Sequence, residues 1–264
     1  PEVRPWSVPR SPGVPKSFVA HTLSLPFDDT DSLVKVMEEQ GEKIACIIVE
    51  PVAGNMGLVA PKGGFLETLR EITEKKGSLL IFDEVMTGFG RTGKLFAYEH
   101  WSVEADIVAL SKGMGAGYYP LGAIMTRREI ADAVLDRGGF MHGHTYAGNP
   151  MACAVGLEVL QIIEDEKLVE NTALLGPKLK AGLEQLAGRH DMIGEVRGRG
   201  LLLALELVED RHSRKPFPAV REARRRTCGR SSRLLNGRYT PGKSDPTPCC
   251  SRPLFSGACG PGPW

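Results

Sequence analysis

The sequence predicts an α/β protein whose site lies at the carboxyl edge of a parallel sheet. Three observations predict it: short unbroken apolar runs at residues 44–50, 78–82 and 106–110, helical stretches that separate strands, and polar residues closing each run. The chain has 264 residues, 42% hydrophobic and 25% charged, enough for one large domain or a large and a small one.

Taken in order, residues 1–12 are expected to be an extended or disordered arm, or sequence read out of frame, because residues 1–10 hold three prolines and no helical or strand period. Ile44-Ala-Cys-Ile-Ile-Val-Glu50 reads as a buried parallel strand stopped at Glu50-Pro51. Phe65, Leu66, Leu69 and Ile72 recur at helical spacing, and Gly77 closes that helix. Ser78-Leu-Leu-Ile-Phe82 is a second strand ending at Asp83-Glu84, and Asp106-Ile-Val-Ala-Leu110 a third ending at Ser111-Lys112. Leu121-Gly-Ala-Ile-Met-Thr126 is a fourth. Asn149 and Pro150 read as an N-cap with proline at the first helical position, starting a helix that reaches about Asp165. A further helix, from about Lys167 to His190, is expected to kink or restart at Gly176-Pro177. Residues 192–196 and 201–207 read as strands of a separate small layer, which gives a large domain over 13–155 and a small one starting over 156–218.

Charge divides the chain at the same place as composition. Residues 219–264 carry eight Arg and one Lys against two acids, a net of +7, which leaves −6 for residues 1–218. Arg, Pro, Gly, Ser and Cys make up 29 of those 46 residues, and Ile, Leu, Val, Phe and Met only five, too few to offset chain entropy by burial. The tail is either a disordered extension or GC-rich coding sequence read out of frame from about Pro218. No aromatic interleaving organises its arginines, so no nucleic-acid partner is expected. Cys46 and Cys153, isolated in the body, fit a reducing cytoplasm rather than a disulfide framework. No apolar run approaches the roughly 20 residues of a membrane helix and no signal-peptide pattern opens the chain, so a cytoplasmic protein without a membrane partner is expected.

Candidate chemistry gathers at strand ends. Asp83 closes a buried strand, where desolvation calls for a cationic partner. The Leu-Leu-Ile-Phe-Asp-Glu run and the later Gly88-Phe-Gly-Arg-Thr-Gly93-Lys94 also suggest a nucleotide-binding loop. That rival fails because Leu95 stands where a metal-holding Ser or Thr is needed, and no strand leads directly into the loop. Lys112, 29 residues beyond Asp83, ends the next strand and precedes Gly113, Gly115 and Gly117, which let backbone approach a ligand closely. An amine and a carboxylate on neighbouring strand ends suit pyridoxal phosphate, which needs a Schiff-base amine and an acid to keep its ring nitrogen protonated. His142 and His144 have no third ligand nearby, so no metal is expected.

Glu50-Pro-Val-Ala-Gly-Asn55, Asp83-Glu-Val-Met-Thr-Gly-Phe-Gly-Arg-Thr-Gly93, Asp106-Ile-Val-Ala-Leu-Ser-Lys112 and His142-Gly-His-Thr-Tyr-Ala-Gly-Asn-Pro150 follow one another in the order and spacing of class III pyridoxal-phosphate aminotransferases, which the chain resembles over residues 13–218. That resemblance implies the fold type I, aspartate-aminotransferase-like architecture, a homodimer when complete, and amine and keto-acid substrates. By the same resemblance Lys112 is the Schiff-base lysine and proton shuttle, Asp83 the pyridinium partner, and Val85 the residue on the ring face. Thr145 reaches the cofactor phosphate of the other subunit, and Glu50 lines the substrate pocket. Met86 stands where some relatives carry glutamine, so that contact is not transferred.

The resemblance is incomplete at both ends: the phosphate-binding turn and the ring-stacking aromatic of the family are expected before residue 1, and more of the small domain after Pro218. Three functions follow. The loops nearest Lys112 resemble ω-amino-acid and amine transaminases, residues 13–23 and 50–57 resemble glutamate-1-semialdehyde aminomutase, and an incomplete chain can be a catalytically inert fragment of either.

Overall fold

The computed structural model describes residues 13–217, and the arm over residues 1–12 and the tail over 219–264 lie outside them. A single turn, α1 (Lys16–Val19), precedes α2 (Thr30–Gln40), whose N-cap Asp29 accepts the Ser32 N–H at 3.0 Å. Leu33, Val36 and Met37 form its buried stripe. Strand β1 (Cys46–Val49) leads through a loop to α3 (Phe65–Lys76), which ends where Gly77 takes φ +70° and closes onto the carbonyls of Thr73 and Glu74. A side chain there would oppose the left-handed backbone that such a closure requires. Next come β2 (Leu79–Asp83), β3 (Ile107–Leu110) and β4 (Ala123–Thr126).

The four strands lie in the order β1-β2-β3-β4, the first three parallel. Register places Asp83 opposite Ala109, so the chain leaves β2 and β3 side by side at one edge. On one sheet face Leu80 and Phe82 join Leu33, Met37, Phe65, Leu66, Leu69, Ile72 and Val103 in the core, with Ile47 and Val49 packed against it. The strand parity puts Ile48, Ile81 and Asp83 on the other face.

Three points of the structure go beyond or against the sequence reading, which left the direction of the fourth strand open. Strand β4 runs antiparallel to β3, because the twelve residues between them hold one 3-10 turn and no helix long enough for a parallel crossover. Strand β1, expected to be buried on both faces, leaves Cys46 and Ile48 exposed, because the described residues cover only one of its faces. The third concerns Pro177. After α4 (Arg128–Asp136) and α5 (Pro150–Asp165), helix α6 runs unbroken over Leu168–Arg189 with Pro177 inside. A Cβ on Gly176 would lie 2.6 Å from Gly200 and one on Gly93 would lie 3.1 Å from Ala173. Close packing on both sides of the missing hydrogen bond therefore holds the helix where local preference would break it.

Helix α5 begins as expected, with Asn149 Oδ1 accepting the Ala152 N–H at 3.1 Å ahead of Pro150. Its Gly156 lies against Leu121 and the carbonyl of Met114, so it backs the turn after β3. A second sheet follows, β5 (Ile193–Arg199), β6 (Leu202–Asp210) and the short β7 (Lys215–Pro216), all antiparallel. It is tied to loops of the first sheet by Arg197 Nε donating to Gly57 O and Leu201 N donating to Arg91 O, each at 3.0 Å.

At the amino edge of β3, buried Asp106 gathers several elements. Its Oδ2 accepts from Leu80 N at 2.7 Å and from Arg70 Nη1 of α3 at 3.1 Å, while Oδ1 pairs with Arg127 beside α4. An Asp106→Ala variant leaves the Leu80 strand N–H without its acceptor and takes one of three partners from the part-buried Arg70 guanidinium, which keeps Glu74 and Glu104 O, and should cost about 2 kcal/mol. Arg127→Ala, removing a largely exposed partner, should cost about 1 kcal/mol or less. Urea unfolding of the two variants checks the order, and equal losses would contradict it.

Candidate active site

The site is built on the carboxyl edge where β1, β2 and β3 end together. Asp83 is the last residue of β2, half-buried, and its Oδ1 accepts the Val85 N–H at 3.0 Å. That bond turns the chain sharply off the strand and fixes Val85 beside the carboxylate. The other carboxylate oxygen accepts no hydrogen bond from the described residues, nor is Asp83 in an ion pair there.

Lys112 opens the 3-10 turn Lys112–Gly115 directly after β3 and is exposed. Its φ of +43° is left-handed, an arrangement that costs a non-glycine residue energy and persists only when the surroundings impose it. Ser111 Oγ donates to Leu121 O at 3.0 Å on one side of the lysine. On the other, a Cβ on Gly113 would lie 3.0 Å from Phe89 Cβ. Gly113 therefore accommodates a protein side chain rather than the close ligand approach its sequence context suggested. Lys112 lines an open cleft of about 620 Å³ with Ser111, Gly117, Tyr119, Leu121 and Gly122, and makes no ion pair among the described residues. Gly117, at φ +82° with nothing within reach of a Cβ, keeps that wall of the cleft open.

Glu50 closes β1 on the same edge, and its Oε2 accepts the Gly54 N–H at 2.9 Å, so the carboxylate caps its own turn. Thr145 lies in the exposed segment between α4 and α5, away from any hydrogen bond with the described residues. The fold thus brings Asp83, Val85, Lys112 and Glu50 to one edge, while Thr145 stands on a surface facing solvent.

Sequence reasoning did not single out Glu84, although its neighbour Asp83 and Thr87 three residues on were the available signal. Glu84 is fully buried. Its N–H continues the β2–β3 ladder onto Ala109 O at 3.0 Å, and its carbonyl accepts Gly88 N at 2.8 Å. Its Oε1 accepts Tyr98 N at 2.9 Å and its Oε2 accepts the Thr87 hydroxyl. Burial pushes this carboxyl above the ordinary carboxylate range, against the hydrogen bonds from Thr87, Tyr98 and Ala97 that favour the charged form. Phe82, Tyr98, Phe96 and Phe89 follow in a chain of ring contacts 5.7 to 6.1 Å apart, leading from the core to Gly113. Further along, His100 Nε2 lies 3.1 Å from both Thr92 O and Oγ1, and burial, then Arg199, hold its imidazole below the ordinary value.

An uncommitted amine that lines an open cleft, and an uncommitted carboxylate at the end of the adjacent parallel strand, outside the lining of that cleft, fit a cofactor with an electrophilic carbonyl and a basic ring nitrogen. Among the described residues no three metal-ligating side chains converge, and no helix is long and apolar enough to cross a membrane.

Comparison with known proteins gives the family. The profile of the family described as Aminotransferase class-III matches residues 9–228. The 4-aminobutyrate aminotransferase GabT of Escherichia coli is 46% identical over 175 residues, covering 66% of this chain and 40% of that protein. The glutamate-1-semialdehyde 2,1-aminomutase of Methanocaldococcus jannaschii is 42% identical over 188 residues, 71% of this chain and 43% of that one. The crystal structure of an amine transaminase from an uncultivated Pseudomonas species, in its PLP-bound form, superposes with a TM-score of 0.68 at 44% identity, covering 71% of this chain and 44% of that chain. The chain therefore spans less than half the length of the relatives it matches.

The buried state of Glu84 gives a pH-dependent prediction. A carboxyl raised in the folded state binds its proton more tightly there than unfolded, so ionising it costs folding free energy as pH rises above its unfolded value near 4.5. The stability of Glu84→Gln relative to the parent should therefore improve as pH rises from 4.5 toward neutrality. Urea midpoints measured across that range check this, and a difference that moves the other way would contradict it.

Proposed function

The chain belongs to the class-III aminotransferases, a pyridoxal-phosphate-dependent enzyme family, and on that premise we propose that it supplies the lysine and acid of an amino-transfer site acting on an amine or ω-amino acid donor and an α-keto acid acceptor. The observation that carries this reading is the uncommitted pair, Lys112 and Asp83, on neighbouring parallel strand ends. Pyridoxal phosphate, when bound, supplies an electrophilic carbonyl and a conjugated ring that accepts electrons.

The chain's own groups do the rest. Lys112 Nζ is the attachment point and, when released, the base that removes a proton from donor carbon and returns it one position along. Its exposure in the cleft gives the flexible stem room for that movement. The Asp83 carboxylate, held by the Val85 N–H, keeps a proton on the ring nitrogen of the cofactor. Val85 would pack against the face of the bound ring, and the Glu50 turn would border the place where donor and acceptor alternate. Thr145, on its exposed segment, would donate its hydroxyl to the cofactor phosphate of a second copy, and the working unit would then be a homodimer. The second sheet, with α6, is the start of the small domain, and its ties to Gly57 and Arg91 place it beside the Glu50 and Gly88–Gly93 loops.

A second reading, intramolecular transfer by an aminomutase, is favoured by the 42% identity to the archaeal aminomutase. Substrates separate the two. Alanine formed from pyruvate and an ω-amine supports intermolecular transfer, and glutamate-1-semialdehyde isomerised without any keto acid supports the mutase. If neither reaction proceeds with saturating cofactor, the chain is an inert piece of such an enzyme and the proposal fails for it.

Where transfer is measured, Lys112→Ala should lower it by about 10³-fold or more, since no other group on the edge supplies both amine and base. Asp83→Asn should leave cofactor binding intact and slow transfer by about 10²-fold. Near-parental turnover in either variant would remove that residue from its role.

A further inference from the structure

We propose that Glu84 is a positioning residue that sets the backbone of Lys112 by closing the loop over residues 84–98 and seating Phe89 against Gly113. The inference rests on the aminotransferase reading for its purpose, though the physical linkage stands without it. Glu84 is fully buried with no cation among its hydrogen-bond partners, an arrangement that costs stability. Its hydrogen bonds go to the two ends of a single loop, Thr87 near the start and Tyr98 at the finish. Its backbone is bonded to β3 through Ala109, three residues before Lys112. One residue therefore fixes both where the loop leaves the sheet and where it returns.

Between those anchors, Phe89 adopts φ +61°, a left-handed backbone that brings its Cβ to the place where Gly113 has no side chain. Phe96, itself stacked on Tyr98, meets Phe89 edge to face. Lys112 and Phe89 are thus two strained, non-glycine left-handed residues on abutting turns, and neither is explained by its own local sequence. If the loop loosens, Phe89 withdraws from Gly113 and Lys112 is free to relax from its left-handed conformation. Asp83 is held by the same turn through Val85 N, so acid and lysine are set by one anchor.

The test is amide hydrogen exchange on the full chain without cofactor. Thr87→Val removes a donor from Glu84 Oε2 while keeping side-chain volume, and should raise exchange over residues 86–97 about tenfold. The amides of Ser111–Gly117 should accelerate with them, while β5 and β6 stay unchanged. Glu84→Gln with Thr87 intact, whose amide can accept from the Tyr98 N–H and donate to Thr87 Oγ1, should leave both segments within about twofold of the parent. Thr87→Val should also lower by about tenfold the fraction of Lys112 labelled by pyridoxal phosphate and borohydride.

Faster exchange over 86–97 with no change over Ser111–Gly117 overturns the proposal, as does no change in either segment. If Thr87→Val accelerates the whole chain, Glu84→Asp, whose shorter carboxylate cannot reach both loop ends, is read instead. Global acceleration there as well would mean that Glu84 holds the fold rather than the loop, and the proposal falls. A parent chain that never takes pyridoxal phosphate leaves the exchange result standing, so failure of the cofactor reading and failure of this one are distinct outcomes.

Discussion

The parallel hydrogen-bonded pairing of β2 with β3 is the constraint from which the rest of the edge follows. With Asp83 opposite Ala109, the residues that continue each strand leave the sheet within a few ångströms of one another. Antiparallel pairing of these two segments would put the acid and the lysine, 29 residues apart in sequence, on opposite rims. The pairing is secured at both ends by buried carboxylates. Asp106 fastens the amino edge by tying α3, β2 and the start of α4 to β3, and Glu84 fastens the carboxyl edge by tying a loop to the ladder. Between them the Leu80 and Phe82 side chains anchor β2 in the core.

That division of labour explains why adjacent acids have opposite fates. Asp83 and Glu84 follow one another, but strand parity sends Asp83 to the face away from the α2 and α3 core, where it keeps an oxygen available. Glu84 turns inward and spends its oxygens on the loop. A site needs both kinds of carboxylate, one available for chemistry and one committed to geometry. Aromatic stacking then carries the committed one's influence outward, from Phe82 through Tyr98 and Phe96 to Phe89.

Much of this edge was legible in the sequence because its signals are local. The apolar run before Asp83, the glycine after α3 and the Asn149-Pro150 start of α5 each state a boundary through backbone chemistry alone, and the structure places those boundaries within a residue or two. What was not legible depends on partners distant in sequence. Pro177 sits inside a helix because Gly200 and Gly93 pack beside it. The direction of β4 depends on the shortness of its connection, not on its own residues. Gly113 gave the signature of a ligand cradle, yet its neighbour is Phe89. Glu84 looked like one more polar residue at a strand end, because nothing in a linear reading shows that Tyr98, fourteen residues later, returns to it. Thr145 was read from the family motif alone, and it lies on an exposed segment where no neighbouring residue marks a role for it.

The central claim is that the fold singles out Lys112 among the chain's lysines as the amine presented to pyridoxal phosphate beside Asp83. The most direct test is to incubate the full chain with the cofactor, reduce with borohydride and locate the added mass by peptide mapping. The account predicts the label concentrated on the peptide that contains Lys112. Label spread over exposed lysines such as Lys62 and Lys94, with no enrichment at Lys112, would contradict it.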